Sequence, residues 1–334
     1  MNIKKPTKTI ILSAEQIEKE ESNIFPDNDG SKQCDEEINK IYSISNWSDM
    51  FYYGKSDLIK NRFLEFISKS EYAHFFEALN YEYGINGQNK SIATAFSMYK
   101  EQANNSTDTL SMYKMYHIYK NEYQKFGLKK RNKILEKFYL FKCFAHLSRQ
   151  EYQGYTLLLN RFHIIYDIKY YFEYEDPLFN KFDKFINHLN SYYNFYGINP
   201  DDIILINAFV TFIFRSQGNL AKTLLEPLII KGNLQAVYQL TLMLKENDQI
   251  KGMFHYLEQR KYYRCYCDYA LFLFKEMNNT QKALEILKEA ISKGFIRANY
   301  LYYDIFLSTV DFSKIKGNEN FKKELLFIFK LLNF

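Results

Sequence analysis

From Trp47 onward, apolar residues recur three and four places apart with few interruptions, which is the spacing of one face of a helix. In "DLIKNRFLEFISK", Leu58, Phe63, Phe66 and Ile67 fall on a single stripe. "EYAHFFEALNYEYG" follows and closes on Gly84, a residue suited to the left-handed conformation that ends many helices. "KSIATAFSMYKEQA" then sets Ala95, Tyr99 and Ala103 four apart, on one helix face. The same periodicity predicts helices over 109–125, 132–147, 150–164, 180–195 and 201–216. The segment "KFGLKKRNK", from Lys125 to Lys133, breaks the pattern and reads as a basic loop.

Between 219 and 307 the pattern repeats at an interval of 31 residues. Ala221, Gly252 and Ala283 correspond at this interval, as do Gly232, Tyr263 and Gly294. So do Ala236, Cys267 and Ala298, and likewise Tyr238, Tyr269 and Tyr300. Each unit reads as a helix, a turn and a second helix. Restricted bulk at fixed places has a physical cause: where two helices cross closely, a side chain larger than Ala or Gly pushes the axes apart. Pro227 falls inside a predicted helix, where it removes a hydrogen bond, so a kink is expected there.

These residues resemble the Sel1-like repeats, a branch of the tetratricopeptide-like helical arrays. The resemblance rests on Ala283, Leu287, Ala290, Gly294 and Ala298, and on Ala221, Leu225, Gly232 and Ala236. A third instance spans Ala73, Tyr81, Gly84, Ala95, Tyr99 and Ala103, while 108–216 match poorly. It implies an all-α fold, a right-handed α-solenoid of stacked helix–turn–helix units whose free face forms a concave groove. Three parts are expected: a disordered acidic tail over 1–48; an N-terminal helical part over 49–200, with one repeat-like unit near 72–105; and regular units over 201–334 with a C-terminal capping helix.

Composition sharpens this picture. Only 12 Gly and 5 Pro among 334 residues are too few for the closely spaced turns of a β-sandwich or barrel. Residues 1–50 hold 6 Lys against 10 Asp and Glu, and "EKEESNIFPDNDGSKQCDEE" has too little apolar surface to offset ordering. One short helix is expected there after Ser13, with Gln16 at capping-box spacing. The remainder is mildly basic, short of the concentrated stripe of a nucleic-acid binder. No window approaches a membrane span. Four cysteines, Cys34, Cys143, Cys265 and Cys267, make no disulfide framework, and a reducing, cytoplasmic setting is expected.

Candidate chemistry is sparse. Cys265 and Cys267 lack the second cysteine pair a zinc site needs, and Cys267 occupies the small-residue place of Ala236 and Ala298. His74, His117, His146, His163, His188 and His255 form no close ligand pair. Phosphate-loop, dinucleotide and nucleophile-elbow motifs are absent, and neither catalytic residues, cofactor nor metal is expected. The acidic run Glu173–Pro177 reads as a solvated turn. Two surfaces remain. Tyr238, Tyr269 and Tyr300 each follow a small packing residue by two places, about 200° around the helix, and should point into the groove as partner-binding rings. Lys129, Lys130, Arg131 and Lys133 form an electrostatic patch. The expected function is therefore a non-enzymatic scaffold or adaptor holding a peptide or partner protein. The alternative is a structural or regulatory subunit using the array as an assembly interface. RNA binding and a cryptic enzyme rank below both.

Overall fold

A computed structural model of the chain describes residues 72–84, 87–105, 108–147, 168 and 171–309. The acidic tail, the stripe at 58–67 and the helix expected at 150–164 lie outside the described residues, as does everything after 309. Among the described residues the chain is all-helical: 12 α-helices, no strand, each helix packed against its neighbours.

Four helices make up the first part. They are α1 (Ala73–Tyr83), α2 (Ile92–Asn105), α3 (Thr109–His117) and α4 (Lys133–His146). Gly84 ends α1 with φ 68, and Asp108 caps α3 by accepting from the amides of Leu110 and Ser111. Beyond His117 the chain widens into a π-turn, Ile118–Glu122, so the helix expected to run to 125 changes form before it ends. Asn132 caps α4. A second π-turn, Tyr171–Glu175, precedes α5.

The rest is a run of helix pairs. They are α5 (Asn180–Tyr196) with α6 (Pro200–Ile213), α7 (Gly218–Ile230) with α8 (Leu234–Met243), α9 (Asn247–Gln259) with α10 (Tyr266–Lys275), and α11 (Thr280–Ser292) with α12 (Ile296–Thr309). The first helix of every pair closes in the same way. Gly197, Gly232, Lys261 and Gly294 all adopt positive φ. The Gly232 amide donates to Ile229 O (2.9 Å) and the Asn233 amide to Leu228 O (2.9 Å). Lys261 and Tyr262 do the same to Glu258 O and Leu257 O (2.9 and 3.0 Å), and Gly294 and Phe295 to Ile291 O and Ala290 O (2.9 and 3.1 Å). Gly197 and Ile198 complete the set on Asn194 O and Tyr193 O (3.2 and 2.9 Å). This paired pattern satisfies carbonyls that a helix end otherwise leaves open, and it needs one left-handed residue.

These turns correct the expected register. Lys261, not Tyr263, is the partner of Gly232 and Gly294; it follows Gly232 by 29 residues and precedes Gly294 by 33. The first helices shift with it, so Ile250, Phe254 and Leu257 of α9 stand where α7 has Ala221, Leu225 and Leu228, and where α11 has Ala283, Leu287 and Ala290. Gly252 is exposed and a Cβ there would meet nothing within 4 Å, so it is not a close-packing site. The connection before α9 is two residues shorter than an even spacing requires. The turn after α9 takes the two back, as a 3-10 segment, Tyr263–Cys265. The second helices therefore keep the interval of 31, and Ala236, Cys267 and Ala298 are all buried. Pro227 sits on the exposed side of α7, and the helix continues past it to Ile230.

Candidate functional site

Two of the three tyrosines expected to face a groove, Tyr238 and Tyr269, are buried instead. Tyr238 is 0% exposed and Tyr269 is 4% exposed; the side chain of Tyr300, in α12, lies outside the described residues. The Tyr238 hydroxyl donates to the Asp268 carboxylate of the next pair, and its ring leans on Tyr262 at 6.0 Å. Burial lifts the Tyr238 hydroxyl well above its ordinary range, and the Asp268 charge adds to the effect. Tyr269 stacks on Phe254 of α9 at 5.0 Å. The Tyr238 ring thus joins one pair to the next, and the Tyr269 ring joins the two helices of its own pair.

The angular argument assumed one covered face on each second helix. Here the far face is covered too, by the chain's own α4. The amides of Gln235 and Gln239, one turn apart on α8, donate to Ala145 O (3.3 and 2.7 Å). Tyr262 donates to the Gln235 amide oxygen and so fixes which way that amide points. Arg264 reaches His146 O. The open carbonyls at the C-terminal end of α4 are thus capped by donors from the α8 and α10 region, as helix ends require. Deeper in the same joint, Lys142 Nζ of α4 donates to Asp202 Oδ2 of α6 (2.7 Å) and to Asn104 O (3.3 Å), and the ring of Phe144 packs on Phe209 at 5.1 Å. The sequence reading missed Gln235, Gln239, Arg264 and Asp202. No local spacing betrays them, because their partners lie 60 to 118 residues away.

A second buried polar cluster locks α1, α2 and α3 together. Glu82 accepts from Tyr99 Oη (2.9 Å), from Lys114 Nζ (3.0 Å) and from Lys125. Lys114 also pairs with Glu122 of the π-turn (2.8 Å). Burial alone would push the Glu82 carboxyl up; Lys114 and Lys125 outweigh it and hold the group below its usual range. Charge balance and full hydrogen bonding make this a fastener rather than a reactive centre.

The basic segment is divided among several tasks. Lys125 serves the Glu82 cluster, and Arg131 grips Glu136 through two bonds (2.7 and 3.0 Å). Lys137 pairs with Glu175 (3.5 Å) and sits 4.7 Å from the Tyr171 ring. Lys133 is half-buried at the start of α4, leaving Lys129 and Lys130 as the exposed members of the proposed patch. The run Glu173–Pro177 is not a solvated turn: Glu173 to Glu175 are π-helical, and buried Asp176 accepts from the amides of Lys181 (3.1 Å) and Phe182 (2.7 Å) at the start of α5.

Cys265 is buried, and burial pushes its thiol well above the ordinary range, so it is no nucleophile. Among the described residues, no three or more His, Cys, Asp or Glu come together as a metal site, and no helix is long and apolar enough to cross a membrane. The chain matches no family model, no curated protein and no solved structure.

Proposed function

We propose that the chain is a right-handed α-solenoid of stacked helix–turn–helix units, similar to the Sel1-like and tetratricopeptide-like arrays, that serves in the cytoplasm as a scaffold for a partner protein. The observation that carries this reading is the recurrence of one closing turn on α5, α7, α9 and α11, with small residues buried at Ala236, Cys267 and Ala298. Units that each leave an apolar face uncovered bury it by stacking, and the stack is elongated, with much surface for its mass. Part of the face of α6 and α8 that a groove-bound partner would use, and the 3-10 segment before α10, are held by α4. A partner is therefore left the first helices and the row of turns.

Affinity capture with the full chain, followed by light scattering of the recovered complex, tests the scaffold role. A complex of fixed stoichiometry with another protein is expected. A chain that only associates with itself would favour the assembly-subunit alternative, and one that stays alone would contradict both.

A further inference from the structure

We propose that the row of turns closing α7, α9 and α11 is a docking surface for an acidic segment of a partner protein. This rests on the scaffold reading and adds where the partner sits and what chemistry it brings. Successive helices are joined by short connections and run antiparallel, so the turns after α5, α7, α9 and α11 share one edge of the molecule. The residue just before each left-handed position is Lys231, Arg260 and Lys293 in turn, and all three are exposed. Lys261 adds a fourth exposed cation at the left-handed position itself, where the other turns have glycine. A non-glycine residue there is strained, because its Cβ crowds the following carbonyl.

No carboxylate occupies positions 230–233, 259–262 or 292–295. Lys231 has Asp201 at 3.5 Å, an exposed contact of little strength, while Arg260 and Lys293 lie over the rings of Tyr256 and Tyr263 at 5.3 and 5.6 Å. Helix C-termini favour cations in any case, but that effect alone would act equally at the opposite edge. There the connections set Arg215 and Lys245 against Glu246 and Glu276. Within the turns that close α7, α9 and α11 the charge is of one sign, with Asp201 of the preceding turn beside Lys231.

Two apolar side chains stand at the α5 and α7 end of this edge. Phe195 is 51% exposed and Ile230 is 85% exposed, and each lies two residues before its turn glycine. An occupant that satisfies both features is a peptide segment with an apolar anchor at one end and carboxylates along the rest. Four cations, one or two per turn, suit carboxylates spaced along a chain better than the dense charge of a nucleic acid, which a continuous basic stripe meets.

The test uses the full chain and a fluorescein-labelled Glu-rich peptide carrying a Leu-Phe pair at one end, read by anisotropy at low salt. The combined variant Lys231→Glu, Arg260→Glu and Lys293→Glu is expected to weaken binding by about tenfold or more, since three exposed attractions are turned into repulsions. The three Gln substitutions should give a smaller loss, and they decide the matter if circular dichroism shows that the reversals disturb the fold. Lys245→Glu, on the opposite edge, should leave affinity unchanged. Raising salt well above 0.1 M, where screening acts within about 10 Å, should weaken binding to the parent chain. Equal affinity in the parent chain and the Gln variant would overturn the proposal. So would tighter binding of a single-stranded oligonucleotide or of anionic vesicles through the same cations. A partner recovered by affinity capture and still held by the Gln variant would sink this surface while leaving the scaffold role standing.

Discussion

Helices α1–α4 and helices α7–α12 are joined in different ways. In the second region the joints are made by size: Ala236, Cys267, Ala298, Ala283 and Ala290 are buried where neighbouring helices meet, and each first helix ends on the same two-bond turn. In the first region the joints are made by charge. Glu82, Lys114 and Lys142 are almost fully buried and bound to partners on other helices. Small-residue joints tolerate drift in every property except bulk, so they leave a periodic trace in the sequence. Charged joints depend on one particular partner each and leave none.

The largest effect that can break this contrast lies at Glu82. Glu82→Leu takes from buried Lys114 one of its two carboxylates, leaving Glu122, and removes the carboxylate shared by Tyr99 and Lys125, so about 3 kcal/mol of stability should be lost, measured by urea denaturation. A loss below about 1 kcal/mol would mean that the cluster is not what fastens α1–α3. Next comes Tyr238→Phe, which removes the hydrogen bond to Asp268 and should cost about 1.5–3 kcal/mol. Unchanged stability would return that ring to the set of residues free to meet a partner.

Acid sharpens the contrast because two histidines with lowered values, partly buried His117 and buried His146, lie in the charged region. His117 is held down to about 3 and His146 well below 6.5, in both cases by burial first and by neighbouring lysines second, with Arg264 adding to the effect at His146. Their folded values lie below the unfolded one, so the unfolded chain takes up protons first as pH falls. Each histidine should therefore cost at most about 1.4 kcal/mol per pH unit below about pH 6.5. Glu82, also depressed, adds a loss of the same sign below about 4.5. Asp108 and Asp202, raised by burial, act in the opposite sense through their own raised values. Denaturation midpoints at pH 7, 6 and 5 should fall steadily, and His146→Leu should flatten that slope. A profile that is flat in the parent chain would contradict the neutral, buried assignment.

The smallest effects concern single turns. Gly232→Ala forces a Cβ onto a φ of 81 and should destabilise by about 1 kcal/mol, whereas Lys261→Gly should be neutral or slightly stabilising. Opposite signs at two aligned positions would show that the two turns share one backbone shape.

The helices themselves were legible from spacing, and so were the buried places of Ala236, Cys267 and Ala298. The shift of α9 was not, because its left-handed residue is Lys261 and the eye follows glycines. An interval of 31 remained correct for the second helices only because the two residues lost before α9 return after it. The placement of Tyr238 and Tyr269 failed for a different reason: an angular argument within one helix cannot see that α4, about 90 residues earlier, reaches α8, or that Phe254 of α9 stacks on Tyr269. Neither could spacing disclose Lys142 with Asp202 or Glu82 with Lys125, which are 60 and 43 residues apart.

The stacking of α9 between its neighbours is most directly examined by comparing urea midpoints of Ala283→Leu and Gly252→Leu. An even 31-residue repeat makes these two positions equivalent. The observed packing makes one buried and the other open, so Ala283→Leu should lose about 1–3 kcal/mol by overpacking while Gly252→Leu gains a few tenths or more from helix propensity. Equal losses at both positions would contradict the 29 and 33 spacing of the turns, and with it the way these helix pairs are held together.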